Sequence, residues 1–235
     1  GEVHFLRAFF YFELVKIYGD VPLFTNGRLT AGDSGTLTRV PKSEVYAVIE
    51  SDLNSAISAL PAQKSTDGRA TSFTAHALLG KVYLYQQKYA EAANILEPLV
   101  GLYTLPSDPG SVFLVSGENG PEAVFEIQHS KESNGWNWGW MPQSTEGNFG
   151  VIHHGIRGYS GPTYSSGWSF NVPTDEFHKA FRSDDKRRDA SILDIVKWAD
   201  DNQADYQEGY EHTGYFNNKY IPCLLYTSPS PRDIS

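Results

Sequence analysis

Cysteine is nearly missing from this chain: Cys223 is the one residue of its kind among 235. A single thiol cannot close an intrachain disulfide, so no disulfide framework staples the fold. Basic residues are also scarce, with 19 Lys and Arg against 28 Asp and Glu, a net charge of −9. That balance argues against nucleic-acid binding, which needs a basic face. It argues equally against a polybasic patch docking on anionic lipid. No apolar run approaches the roughly 20 residues of a transmembrane helix. Neither a signal peptide nor a lipid-attachment Cys is visible.

The stretch Cys223-Leu224-Leu225-Tyr226-Thr227-Ser228-Pro229-Ser230-Pro231-Arg232-Asp233 has no sustained apolar period, and its two prolines exclude a helix. It resembles translated read-through of a transposase-based sequencing adapter. Residues 223–235 are therefore expected to be a non-native tail and are set aside from fold reasoning.

What the chain has is helix. Glu2 to Tyr18 is apolar on nearly every side, which predicts a helix buried on nearly every side. Gly19 can close it in a left-handed conformation, and Pro22 prevents its continuation. A domain is not expected to begin inside such a helix, so the sequence reads as a fragment. After a Gly/Thr-rich loop over 25–40, a second helix is predicted from Ser43 to Leu60. Its set Val45, Val48, Ile49, Leu53, Ala56, Ile57 and Leu60 keeps the helical period. Ala75, Leu78, Leu79, Val82 and Tyr83 predict a third helix over 72–87. Ala92, Ile95, Leu96 and Leu99 predict a fourth over 89–100.

Only Gln87-Lys88 joins the last two, which forces an antiparallel pair. The pair fits the tetratricopeptide pattern through Leu79-Gly80-x-x-Tyr83, then Tyr89 and Ala92. Gly80 and Ala92 are small where the helices must approach. Helices one and two are the natural partner pair, since one repeat cannot bury both its faces.

The character changes after Gly101. Glu122 to His129 alternates and predicts a strand. Residues 130–170 hold eight Gly, eight aromatics and four charged residues, the composition of a long loop-rich region. Thr174 is the expected cap of a helix whose buried face is Phe177, Ala180 and Phe181. A further short helix is predicted over 187–198, and a strand over 215–221.

These pieces, in this order, resemble the SusD/RagB family of outer-membrane nutrient-binding lipoproteins. The likeness rests on the exit Gly19-Asp20-Val21-Pro22-Leu23 and on Tyr46…Asp52-Leu53…Ala56…Leu60-Pro61. It continues through Arg69-Ala70-Thr71…Ala75-His76-Ala77-Leu78-Leu79-Gly80-Lys81-Val82-Tyr83-Leu84, Tyr89-Ala90-Glu91-Ala92 and Tyr103-Thr104-Leu105. Glu122…Phe125-Glu126-Ile127, the Pro173-Thr174 helix start and Asp185-Lys186-Arg187 complete it. The resemblance implies a mainly α fold, with tetratricopeptide-like helix pairs packed against an irregular loop-rich half. The expected organisation is a helical part over 1–105 and a loop-rich aromatic part of the same domain over 106–222.

Sugar rings present apolar C–H faces that stack on flat aromatic rings, and their hydroxyls need amide, carboxylate or guanidinium partners. Trp136, Trp138 and Trp140 alternate, and would share one face of an extended segment. Tyr159, Tyr164 and Trp168 follow among glycines, with Asn134, Asn137, Gln143, Asn148 and Arg157 as polar partners. Packed aromatic anchoring of a long loop explains the same residues, since Trp and Tyr mostly do that. The candidate ligand-binding set is Trp136, Trp138, Trp140, Tyr159, Tyr164, Trp168, Asn137 and Arg157.

His153-His154 would point to opposite faces of an extended chain and has no partner at zinc-ligand spacing. The acidic run Asp200 to Glu211 lacks the spaced ligands of an EF-hand. No nucleophile elbow, phosphate loop or zinc-protease helix occurs. No catalytic residue, metal or cofactor is expected. The resemblance implies a lipid-anchored surface protein that binds oligo- or polysaccharide and hands it to a SusC-like TonB-dependent transporter. The alternative is a peptide- or protein-binding tetratricopeptide-like module that gates the transporter without glycan. Asp185 and Arg187, by the same resemblance, belong to a structural turn.

Overall fold

The computed structural model describes residues 1–25, 27–35, 37–128, 150–219 and 221. The chain divides into two compact units, Gly1–Thr104 and the part from Leu105 onward.

The first unit is a stack of four helices: α1 (Glu2–Tyr18), α2 (Lys42–Ala59), α3 (Ser72–Tyr85) and α4 (Tyr89–Leu96). Each packs on the next in chain order. Gly19 closes α1 at φ +67°, with its N–H on the Val15 carbonyl at 3.0 Å. The chain then forms β1 (Val21–Pro22), which pairs antiparallel with β2 (Arg39–Val40). The loop therefore leaves and returns at one point, and α2 starts beside the end of α1. Asp20 supplies the missing cap, its Oδ1 accepting from the Lys42 N–H at 2.8 Å. Thr71 and Thr74 cap α3 reciprocally.

The core of this unit is Phe5, Ala8, Phe12 and Val15 of α1 against Val45, Ile49, Leu53 and Ala56 of α2, with Ala75, Leu79 and Val82 of α3. Gly80 is small for a reason: a Cβ there would sit 2.5 Å from Leu96 Cδ2, so its absence lets α4 close on α3. The expectation that α1 is buried on nearly every side is corrected. Val3, Leu6, Phe10, Leu14 and Ile17 form an exposed stripe, because α1 has described neighbours on one side only. Likewise α4 buries Ala92 alone, since α3 is its main neighbour.

The second unit is built from short pieces: α5 (Gly150–His154), β3 (Ile156–Arg157), β4 (Ser166–Gly167), α6 (Asp175–Ala180), α7 (Lys186–Ser191), β5 (Ile192–Asp194), α8 (Ile195–Asn202) and β6 (Tyr215–Asn217). β3 and β4 run parallel, and β5 pairs antiparallel with β6 through Leu193↔Phe216. Their inward residues Ile156, Leu193 and Phe216 make the core with Ile195 of α8, Tyr159 and Ala204.

Three sequence expectations change here. Residues 122–128 form no strand. Instead Glu126 is buried and accepts from the Asn119 N–H at 2.8 Å, while Gln128 bonds the Asn119 side chain at 3.2 Å. The single helix over 187–198 is interrupted by β5, whose Ile192 and Leu193 are drawn into pairing with β6. Asp194 then caps α8, accepting from Lys197 N–H at 3.0 Å. α6 is capped by Thr174 as expected, but its expected buried face is not buried: Phe177 and Ala180 are exposed and Phe181 is only partly covered.

Candidate functional site

The second unit holds two groups of rings, and the chain geometry separates their roles. The first lies at the end of α5. A five-residue helix leaves carbonyls without intrahelical partners, and these must be satisfied by other groups. The returning chain satisfies them. Trp168 N–H bonds the Ile152 carbonyl at 2.8 Å, Ser169 N–H bonds that of Gly155 at 2.9 Å, and Phe170 N–H bonds that of His153 at 2.7 Å. The approach is close enough that only glycine fits: a Cβ on Gly167 would lie 2.3 Å from Gly155 Cα.

This clamp sets Trp168 and Phe170 beside His153. Their ring centroids are 5.0 Å (His153–Trp168), 5.8 Å (Trp168–Phe170) and 5.9 Å (His153–Phe170) apart. Phe170 is half-exposed and Trp168 partly buried. Arg157, exposed on β3, donates from Nη2 to the Trp168 carbonyl at 2.7 Å. A guanidinium has five N–H donors, so most of its hydrogen-bonding capacity lies beyond that bond. The result is a small platform of rings with a cation fixed at its edge.

Its backbone is strained. Ser169 and Asn171 adopt φ of 59° and 57°, a region that side chains with a Cβ disfavour. Ser169 Oγ is buried with no hydrogen-bond partner among the described residues.

The second group is a core. Tyr159 is only 8% exposed. Its hydroxyl accepts from Trp198 Nε1 at 3.0 Å and donates to the Pro162 carbonyl. Tyr164 packs edge-on against Tyr159 at 5.9 Å and lies 5.0 Å from Trp198, its hydroxyl reaching Asn218 Oδ1 at 3.3 Å. Of the expected ligand residues, the structure thus brings Trp168 and Arg157 together. Tyr159 belongs to the packed interior with ring and hydroxyl both engaged, and Tyr164 lies against it. Trp136, Trp138, Trp140 and Asn137 fall outside the described residues, as do Asn134, Gln143 and Asn148.

Two platform residues were not singled out as ring partners from the sequence. Phe170 stands two positions after Trp168, but the left-handed Ser169 between them breaks any extended run, so strand spacing does not reveal the pair. His153 has no sequence signal either, because it is paired only by the fold. It lies in a helix, not the extended chain expected for His153-His154. No group of three or more His, Cys, Asp or Glu that could hold a metal occurs among the described residues. No described helix is long and apolar enough to cross a membrane.

A tetratricopeptide-like helical stack followed by a loop-rich unit is consistent with the fold of the SusD-like structures it matches. The SusD-like family model described as "Starch-binding associating with outer membrane" matches residues 1–84. SusD-like protein P2 of Formosa agariphila is 29% identical over 200 residues, covering 82% of this chain and 38% of its own length. Among solved structures, a laminarin-binding SusD-like protein is 36% identical with a TM-score of 0.83, over 95% of this chain and 51% of that one. The surface glycan-binding protein A of Bacteroides thetaiotaomicron, solved with laminarihexaose, shares the fold at TM-score 0.76 and 23% identity, over 94% of this chain and 49% of that one. The family model that matches, the curated relatives and the solved neighbours are all SusD-like, and the chain spans about half the length of the solved relatives it matches.

Proposed function

We propose that this chain is the glycan-capturing part of a surface protein, lipid-anchored to the outer membrane, that delivers oligo- or polysaccharide to a TonB-dependent transporter. The observation that carries the reading is the platform of Trp168, Phe170 and His153 with Arg157 at its edge. Rings take the apolar faces of sugars, and a guanidinium takes hydroxyls by directed N–H donation. The laminarin-binding relative, 36% identical over 95% of this chain, makes laminarin the first ligand to try. Binding needs no bond cleavage, so the reading assigns no catalytic residue and no cofactor. Trp136, Trp138, Trp140 and Asn137 remain proposed ligand contacts with Trp168 and Arg157.

Retention in native gels containing laminarin tests this. The reading expects the wild-type chain to be slowed and Trp168→Ala to run free. Equal mobility with and without every glycan tried, from folded protein, contradicts it. The exposed apolar stripe on α1 favours a second reading, a protein-docking face on the helical unit.

A further inference from the structure

Phe170 is followed at once by a second feature of the same unit. Asn171 to Thr174, α6, the start of α7 and β6 enclose an open cleft of about 840 Å³. Its chemistry differs from that of the ring platform. Phe177, 52% exposed, and Phe181 pack edge to face at 5.2 Å and give it an apolar wall. Arg182, Arg187 and Lys219 line it together with one carboxylate, Asp185.

That carboxylate is already neutralised. Arg187 holds it through Nε at 2.9 Å and Nη2 at 2.5 Å, and the Arg187 backbone N–H adds a third donor at 2.9 Å. Arg182 is paired with its neighbour Asp184 at 3.0 and 2.8 Å. Lys219 is different. Its ammonium rests 4.6 Å over the Phe113 ring, and it has no ion pair with any carboxylate among the described residues. In a chain of net charge −9, Lys219 is thus a cation on the cleft lining that no described carboxylate pairs, beside the exposed Phe177 ring.

We propose that this cleft is a second carbohydrate subsite that takes a sugar bearing an anionic group, carboxylate or sulfate. The anion meets Lys219, and the sugar's C–H face lies on Phe177. The proposal rests on the glycan-capture reading above and extends it to charged glycans. An acidic polymer is repelled by the protein as a whole, so attraction must come from this local cation and must weaken as salt is raised.

Native gels containing alginate (carboxylated), carrageenan (sulfated) or laminarin (neutral) test it with the full chain. Retention of wild type on alginate alone supports a carboxylate, and on carrageenan alone a sulfate. In either case Lys219→Gln should bind about tenfold more weakly, the usual worth of one charge-assisted hydrogen bond. Lys219→Arg should keep binding, Phe177→Ala should lose it, and laminarin retention by Lys219→Gln should be unchanged. Far-UV circular dichroism establishes that each variant is folded. No retention on either acidic gel, or equal retention by wild type and Lys219→Gln, overturns the subsite. Retention on laminarin without retention on either acidic gel overturns the subsite alone, whereas no retention on any glycan tried contradicts glycan capture itself, so the two failures are distinguishable.

Discussion

Arg7 reaches from α1 to hold both carboxylate oxygens of Asp52 on α2, with Nε at 2.6 Å from one and Nη2 at 2.7 Å from the other. His4 adds a third contact to the same buried carboxylate at 2.5 Å. A charge in the core is tolerable only when its partners are in place. Asp52→Ala or Arg7→Ala should therefore destabilise the helical unit by about 3 kcal/mol, measured by urea unfolding. A loss within error of zero would mean that water already satisfies Asp52.

The same pair predicts a pH dependence. Burial, the largest single influence on Asp52, raises its pKa, but the hydrogen bonds from Arg7 and His4 and their charges outweigh it. The group ends below its ordinary 3.8. A lowered carboxylate stabilises the fold above its unfolded pKa, and that stability is lost as pH falls through the folded value. Urea midpoints should therefore hold steady near neutrality and drop below about pH 4, with a shallower drop in Asp52→Asn. Identical pH curves for both proteins would contradict this.

Asp185 provides a second titration, in the other unit. The hydrogen bonds from the Arg187 side chain and backbone hold its pKa at about 2. In Arg187→Gln the Asp185 carboxyl midpoint, followed by NMR, should rise toward 3.8. No change would show that Arg187 does not hold this turn.

Gly80 tests the packing of α3 on α4. Gly80→Ala places a methyl against Leu96, and overpacking of this kind costs about 1–3 kcal/mol. Gly80→Ala with Leu96→Ala should recover part of that loss, because the second change makes the space the first one needs. Additive destabilisation would mean that the two sites do not meet.

Much of the helical unit is legible in sequence because one physical signal decides it. Val45, Ile49, Leu53 and Ala56 repeat at the helical period, and all are buried on α2. The exposed stripe of α1 is not legible, since a helix apolar all round does not say on how many sides it has neighbours. Short-range pattern fails again where long-range pairing intervenes. Glu122 to Gln128 alternates like a strand but has no strand to pair with among the described residues, and its carboxylate turns in to Asn119. Ile192 and Leu193 carry helical spacing, yet Phe216, over 20 residues later, draws them into a strand. At the site the limit is the same. Tyr159 and Trp168 sit in equally glycine-rich sequence, and what separates core from platform is Trp198 beside one and His153 beside the other.

The two ring groups predict opposite mutant behaviour. Tyr159→Phe removes the acceptor for Trp198 Nε1 and should cost about 1 kcal/mol of stability with glycan binding intact. Trp168→Ala should weaken glycan binding by about 2 kcal/mol, roughly thirtyfold, with a smaller effect on unfolding. Binding loss in Tyr159→Phe and none in Trp168→Ala would reverse the assignment.

The most direct test of glycan capture is intrinsic tryptophan fluorescence of the chain titrated with laminarin, for wild type and Trp168→Ala. Glycan capture at the platform predicts a saturable change in wild type that is lost, or shifted at least tenfold to higher concentration, in the variant. A flat titration of folded wild type with laminarin and every other glycan tried would contradict it.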